Sequence, residues 1–419
     1  MPTAPLFLIL QTRMLNIKNL IPTAIIFSLS GCASTQPIPE ARKSQVASIL
    51  LTKSPAKNTD HSLIKAQAAK DLEQLIYVFQ KGYGGAKYVP QDKFTATLSN
   101  LKSLESTLPE QVTAFDLCKK IAGILEGIPD RHLELKLGKT HCDVQAKVVG
   151  NVGSNYGKDT KQAWEQNSLR ISSVLEVPVI SIHSFPQMDD SQWLGFQAAI
   201  ESEMMSAEAI VIDLRGNAGG NDGQGYWLAH ELYGTTPPSG FNRLVDRQTP
   251  EALALVINNL HADELAYLGS GKEVPEDTSS YLKYYRDLLK LAEEGNLPEE
   301  GIHKIPSEGK PFNLKRGYNQ RIYILVDRET ASNAEFTVAT LRTHPKAKVI
   351  GENTNGAIHF GNQGIVVLPE SGIEVRMGTH YLEDKDGKYD EVVGFSPDVR
   401  TPQGEDAINW VKADLARKF

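Results

Sequence analysis

The sequence predicts an α/β protein, and three stretches of the chain support that prediction. Residues 177–182 and 209–214 are apolar runs typical of buried strands, and an amphipathic helical pattern over 192–205 lies between them. A strand, a helix and a strand joined by short loops form a right-handed βαβ unit, so the sheet is expected to be parallel there. A third apolar run, 322–326, is followed by another helical pattern.

The composition narrows the class of protein. A chain of 419 residues allows two or three domains. The net charge of −7 and the lack of a long basic run do not favour nucleic-acid binding. The cysteines, Cys32, Cys118 and Cys142, have no CxxC spacing, so no metal site or cofactor is expected. Cys118 and Cys142 either form a disulfide in an oxidising compartment or remain two buried thiols.

The N-terminus has the features of an export signal. A short apolar segment, 21–30, follows Lys18 and is too short to span a bilayer. It ends in a stretch, 29–32, that resembles the bacterial lipoprotein box, which implies that Cys32 is lipidated. The alternative is an ordinary signal peptide in which Cys32 is incidental. Because Ala33 is not an aspartate, the resemblance implies the periplasmic face of the outer membrane, if the cell has one.

The remainder of the chain divides into five intervals. Residues 33–60 are polar and are expected to form a flexible tether. A helical N-terminal domain is expected at 61–127. The core is expected in two parts, 128–234 and 319–419, which are separated by a charged, helical insertion at 235–318. The insertion is either a lid over a site or a surface addition.

Ser332 is the candidate nucleophile. It lies in the segment TASNAE (330–335), between the apolar run 322–326 and a helical pattern. A serine on such a turn exposes its hydroxyl, and the amide of the next residue faces whatever the hydroxyl attacks. The simpler alternative is that Ser332 only caps the helix.

A glycine-rich loop follows the strand at 209–214. Its sequence is DLRGNAGGN (213–221), and glycines there allow the backbone to approach a ligand closely. A phosphate loop is not indicated, because neither Gly-Lys-Ser/Thr nor the GxGxxG order is present. Asp213 and Arg215 are expected to form a structural ion pair.

Four segments match one family in order. They are DLRGNAGG (213–220), TASNAE (330–335), GENTNG (351–356) and GFSPDV (394–399). Together they resemble the tail-specific, or C-terminal-processing, serine peptidases. The resemblance implies a mixed sheet of the ClpP/crotonase-like type, Ser332 as nucleophile, and a protein or peptide substrate.

One position departs from that pattern. The C-terminal-processing branch has a lysine general base just after the third segment, where this chain has Ala357. The chain is therefore more similar to the tricorn-core and retinoid-binding-protein-like branch. That resemblance implies a histidine base and a late glutamate, here His132 and Glu391, with His359 and His380 as rival bases.

The expected chemistry is acyl transfer without a cofactor. The backbone N–H groups of Asn333 and of Gly219 or Gly220 would bind the oxyanion. The predicted function is a secreted, lipid-anchored serine peptidase with a Ser-His-Glu site. The alternative is a catalytically silent envelope lipoprotein that binds peptides or hydrophobic ligands on the same scaffold.

Overall fold

The fold is known from a computed structural model of the chain. It describes residues 36–51, 60–142, 167–172, 174–186, 191–204, 206–271, 273–305, 317–384, 391–402 and 404–417. The predicted signal peptide and Cys32 lie outside these residues. No helix in the described ranges is long and apolar enough to cross a membrane.

Helices and strands alternate along most of the described chain. Its α-helices are α1 (Glu40–Ile49), α2 (Lys65–Lys81), α3 (Gln91–Thr107), α4 (Ala114–Leu125), α5 (Ser191–Met204), α6 (Asp222–Tyr233), α7 (Pro250–Gly269), α8 (Glu276–Glu293), α9 (Asn333–Leu341) and α10 (Ala407–Leu415). Its strands are β1 (Ser62–Ile64), β2 (Gln111–Thr113), β3 (Glu134–Leu137), β4 (Thr140–His141), β5 (Ser168–Ile171), β6 (Pro178–Ser181), β7 (Ala209–Asp213), β8 (Phe241–Arg247), β9 (Glu300–Lys304), β10 (Arg321–Val326), β11 (Ala347–Gly351), β12 (Phe360–Val367), β13 (Glu374–Asp384) and β14 (Val399–Arg400).

The first sheet confirms the predicted α/β fold. Its strand order is β14-β11-β10-β7-β6-β5, and every pair is parallel except β5 with β6. Every residue of β7 is buried, as is β10 after Arg321, because helices cover both faces of the sheet. In the register of β7 and β10, Asp213 lies opposite Leu325, so the loops after both strands leave the same sheet edge.

The second sheet is antiparallel and carries the histidine. Its order is β4-β3-β13-β8-β9, and β12 pairs with β13. It shares a hydrophobic core with helices α1 to α4 and α7. Cys118 in α4 and Cys142 after β4 form a disulfide, which settles the alternative left open by the sequence.

The prediction of a flexible tether over 33–60 is wrong for its described part. Residues 40–49 form α1, with Val46 and Ile49 buried in the core. Arg42 binds the carboxylate of Glu251 at 2.8 and 2.9 Å. The helix has little apolar surface of its own, and partners some 200 residues away hold it, so no local pattern predicted it.

The prediction of a helical insertion at 235–318 also needs correction. Strands β8 and β9 pair with each other there, and β8 pairs with β13, so the segment extends the second sheet. Between them, the first nine residues of α7 are all buried. This helix is therefore part of the core.

Candidate active site

Ser332 occupies the turn between β10 and α9 in a conformation unlike that of a helix cap. Its φ is 54° and its ψ is −124°, whereas a cap residue has extended dihedrals. The hydroxyl makes no cap hydrogen bond to the helix. A non-glycine residue at positive φ is strained, and such strain is concentrated at functional sites.

The Ser332 hydroxyl points instead at His132. The distance from Oγ to Nε2 of His132 is 3.0 Å. The loop before β3 fixes the histidine: its amide donates to Asp130 Oδ1 at 2.7 Å, and its carbonyl accepts from Gln363 at 2.9 Å. Hydrogen bonds of the His132 backbone, through both its amide and its carbonyl group, thus fix the position of the imidazole ring.

Burial keeps the His132 ring neutral. Desolvation, with a smaller contribution from His380, lowers the pKa of His132 to about 4. A neutral imidazole can accept the Ser332 proton through Nε2, which leaves the ring proton on Nδ1. The buried Nδ1 has no hydrogen-bond partner among the described residues.

Glu391 lies close to the ring without a direct hydrogen bond to it. A ring nitrogen of His132 and one carboxylate oxygen each of Asp130 and Glu391 lie within 4.8 Å of one another. Glu391 accepts three backbone N–H bonds, from Arg131, Ile358 and His359, at 2.9 to 3.2 Å. Burial, and then the charge of Asp130, raise the pKa of Glu391 to about 8.

Asp130 is the second carboxyl group beside the histidine, and the sequence analysis did not include it among the site residues. It is 4% exposed, and burial raises its pKa to about 6. The Tyr83 hydroxyl lies near enough to lower that pKa, although neither this hydroxyl nor Asp130 Oδ2 makes a hydrogen bond of normal geometry. The site thus has two carboxyl groups where the sequence predicted one.

The glycine-rich loop lies directly against Ser332. A Cβ at Gly219 would stand 2.9 Å from Ser332 Cβ and 3.0 Å from the Asn333 amide nitrogen, so only glycine fits. The Gly219 amide, however, donates to Asn217 Oδ1 at 2.8 Å. Gly219 is therefore wrong as an oxyanion donor, and Gly220 and Asn333 remain, because their amides have no partner in the described part of the chain.

Glu335 is a site residue to which the sequence analysis gave no role. Its fully buried carboxylate accepts from the Ser332 amide at 3.1 Å and from the amides of Gly356 and Ala357 at 2.8 Å each. It also accepts from the Thr354 hydroxyl at 2.5 Å. An acid three residues after the serine, inside an apolar helix, was the available signal.

The other candidates have different partners. His359 Nδ1 lies 2.7 Å from the Leu382 carbonyl, and His380 Nδ1 lies 3.9 Å from Asp246. Arg215 binds Asp213 at 2.6 Å and Asp406 at 2.8 Å, a pairing that fixes the base of the glycine-rich loop.

The family follows from the comparison with known sequences. A model of peptidase family S41 matches residues 176–401, more than half of the chain. The chain belongs to peptidase family S41. That match confirms the resemblance drawn from the four segments. No curated protein sequence matches this chain.

Solved structures agree with this fold. A candidate peptidase from Parabacteroides merdae has a TM-score of 0.53 and 14% identity, and the match covers 84% of this chain and 98% of that one. Mature CPAF has a TM-score of 0.50 and 14% identity, with 83% and 94% covered. At such identities the likeness extends to the fold alone. The family match, rather than these structures, supports a serine-peptidase scaffold and implies protein or peptide substrates.

Proposed function

We propose that this S41 protein is an active serine peptidase that uses Ser332 as nucleophile and His132 as general base. The observation that carries the proposal is the 3.0 Å approach of Oγ to Nε2 of a buried, neutral imidazole. A nucleophile within hydrogen-bond reach of its base is the geometry that this chemistry requires. The strained turn at Ser332 supports it further.

In the proposed mechanism, Ser332 Oγ attacks the substrate carbonyl carbon while His132 Nε2 takes the hydroxyl proton. The amides of Gly220 and Asn333 would stabilise the oxyanion, and such a donor typically contributes about 3 kcal/mol. The C–N bond breaks as the imidazolium returns the proton to the leaving amine. A water molecule, deprotonated by His132, then hydrolyses the acyl-enzyme.

Glu391 is proposed as the carboxylate that stabilises the imidazolium. It lies within 4.8 Å of the ring rather than in contact, so its effect would be electrostatic or would follow a small approach of the side chain. Ionised Asp130 would act in the same direction. Ala357 occupies the position of the family's lysine, and its amide is used to bind Glu335.

A fluorophosphonate probe tests the proposal, because it labels only an activated serine. Labelling of the full chain should occur and should disappear in Ser332→Ala and fall at least about a hundredfold in His132→Ala. The exposed Ser270→Ala variant serves as a matched control and should label normally. No labelling of the wild type between pH 6 and 9 would contradict the proposal.

The second candidate function is a silent binding scaffold for peptides or hydrophobic ligands. Two observations favour it: Ala357 replaces the lysine base, and Glu391 makes no hydrogen bond to His132. It predicts that peptides bind without being cleaved. Mass spectrometry of a peptide mixture after incubation separates the two functions.

We also propose that the chain is lipid-anchored through Cys32 in the cell envelope. The proposal rests on the export signal and lipoprotein-box pattern of the sequence. Metabolic labelling with a palmitate analogue should mark the protein and should be lost in Cys32→Ser. Equal labelling of both forms would overturn it.

A further inference from the structure

The cluster behind His132 has a donor set that suits a metal ion. It combines one imidazole with two carboxyl groups, Asp130 and Glu391, and one ligand atom from each lies within 4.8 Å of the other two. Imidazole nitrogen with carboxylate oxygen is a donor set that Zn²⁺ accepts readily, whereas Mg²⁺ and Ca²⁺ prefer oxygen alone.

Two atoms of this cluster are buried and make no hydrogen bond of normal geometry to any residue that the structure describes, although the Tyr83 hydroxyl lies near Asp130. They are His132 Nδ1 and Asp130 Oδ2, and Asp130 is only 4% exposed. Nε2 is already occupied by Ser332 Oγ, so Nδ1 is the nitrogen left for a further ligand. Unsatisfied polar atoms in a protein interior are costly, and one cation would satisfy both.

We propose that Asp130, His132 and Glu391 form a binding site for a divalent cation of the Zn²⁺ class, and that the bound cation inhibits the peptidase. The inhibition, though not the binding, rests on the proposed function. Zinc lies about 2.0–2.2 Å from such ligands, so at a tetrahedral angle two of them stand about 3.4 Å apart. The three ligand atoms, which lie within 4.8 Å of one another, must therefore move together by about 1 Å, with water as a fourth ligand.

The inhibition follows from the tautomer of the ring. Zn²⁺ binds Nδ1 only in the tautomer in which that nitrogen is unprotonated, so the single ring proton moves, by exchange with solvent, from Nδ1 to Nε2. Nε2 then donates to Ser332 Oγ and can no longer accept the serine proton. No covalent bond changes, so a chelator should restore activity.

Calorimetric titration of the tag-free full chain with ZnCl₂ tests the binding. The wild type should bind one ion at this site, and the Ser332→Ala variant should bind equally well because it retains all three ligands. Asp130→Asn and Glu391→Gln, each shown to be folded by its melting curve, should weaken binding at least about tenfold. Zn²⁺ should also raise the melting temperature of the wild type.

A matched control is His303→Ala. His303 Nε2 lies 3.0 Å from Asp246 Oδ2, so this variant removes the imidazole of a different histidine–carboxylate pair. It should bind as the wild type does. The site is overturned if the wild type binds no Zn²⁺, or if His303→Ala loses binding while Asp130→Asn retains it. These measurements need no catalytic activity, so their failure is distinct from failure of the proposed function.

Fluorophosphonate labelling with and without Zn²⁺ then tests the inhibition. One equivalent of bound Zn²⁺ should slow labelling at least about tenfold, and EDTA should restore the rate. In Asp130→Asn the same Zn²⁺ concentration should have little effect. Unchanged labelling at saturating Zn²⁺ would overturn the inhibitory role.

Discussion

Ser332 has a backbone conformation that few non-glycine residues adopt, and the residues around it show how that conformation is maintained. Glu335 binds the Ser332 amide and two amides of the loop that follows β11. Gly219 lies against the Ser332 side chain from the other direction. The position of one hydroxyl thus depends on contacts from two distant loops.

Replacement of Glu335 should test this dependence. Glu335→Gln replaces an acceptor oxygen with an NH₂ group, which leaves buried N–H donors unsatisfied. We expect a loss of about 2–4 kcal/mol in the free energy of unfolding and a much slower fluorophosphonate reaction. Urea denaturation and labelling kinetics measure the two effects. The exposed Glu329→Gln is the control, and equal behaviour of the two variants would contradict the assigned role.

The ionisation of Glu391 predicts a pH profile. Burial and Asp130 raise its pKa to about 8, and only the ionised form stabilises the imidazolium. His132, with a pKa of about 4, stays neutral throughout this range. Labelling should therefore rise with pH, with a midpoint near 8, and Glu391→Gln should be slower with no such rise. A midpoint near 5, or the same rise in the variant, would contradict this assignment.

The same shift has a consequence for stability. An unfolded glutamate ionises at a pKa near 4.5, whereas folded Glu391 stays protonated up to about 8. The folded state binds more protons between these values, so its stability falls as the pH rises through that window. Glu391 is therefore costly to the fold at neutral pH, a typical property of functional residues.

At the scale of secondary-structure elements, the proposed nucleophile follows a strand of the first sheet and the proposed base precedes a strand of the second. β10 ends at the turn that carries Ser332, and His132 lies in the loop between α4 and β3. The disulfide Cys118–Cys142 joins the two ends of that α4–β4 segment. It therefore restrains the element that positions the histidine.

Removal of the disulfide should be destabilising. A loop of this length predicts a loss of about 3 kcal/mol in the free energy of unfolding for Cys118→Ser with Cys142→Ser. Labelling of Ser332 should slow as well, because the His132 loop loses one restraint. Guanidinium unfolding of the oxidised wild type and of the double variant tests this. Reduced wild type should match the variant, and equal stability of all three would contradict it.

At the scale of the whole molecule, α1 joins two parts of the chain. Its Arg42 binds the buried Glu251 of α7, which also accepts from the Tyr77 hydroxyl of α2. Asn258 of α7 binds the chain at Ile49 and Leu51, the end of α1. The segment after the predicted lipidation site is thus attached to the same core that carries His132.

This attachment predicts a difference between two adjacent basic residues. Arg42→Ala leaves Glu251 buried with one partner fewer, and we expect the free energy of unfolding to fall by about 2 kcal/mol. The loss should be smaller than for a fully buried pair because the Arg42 side chain is 26% exposed. Lys43→Ala removes only an exposed pair with Glu40 and should change nothing measurable. Thermal unfolding of both variants decides the matter, and equal melting temperatures would contradict the prediction.

Local patterns in the chain were sufficient for much of this description. Apolar runs located β7 and β10, and short motifs identified the family. These features succeed because they depend on neighbours within about ten residues. The helix α1 and the strands β8 and β9 were missed because distant partners stabilise them.

The sequence by itself determined the α/β class, the S41 family and the residue types of the site. Only the tertiary structure decided that the Gly219 amide is bonded to Asn217, that Glu335 binds the turn at Ser332, and that Asp130 stands beside Glu391. The physical reason is that hydrogen-bond partners and pKa values depend on distance and burial in space. Residues 130, 332 and 391 are far apart in the chain, and folding alone brings them together.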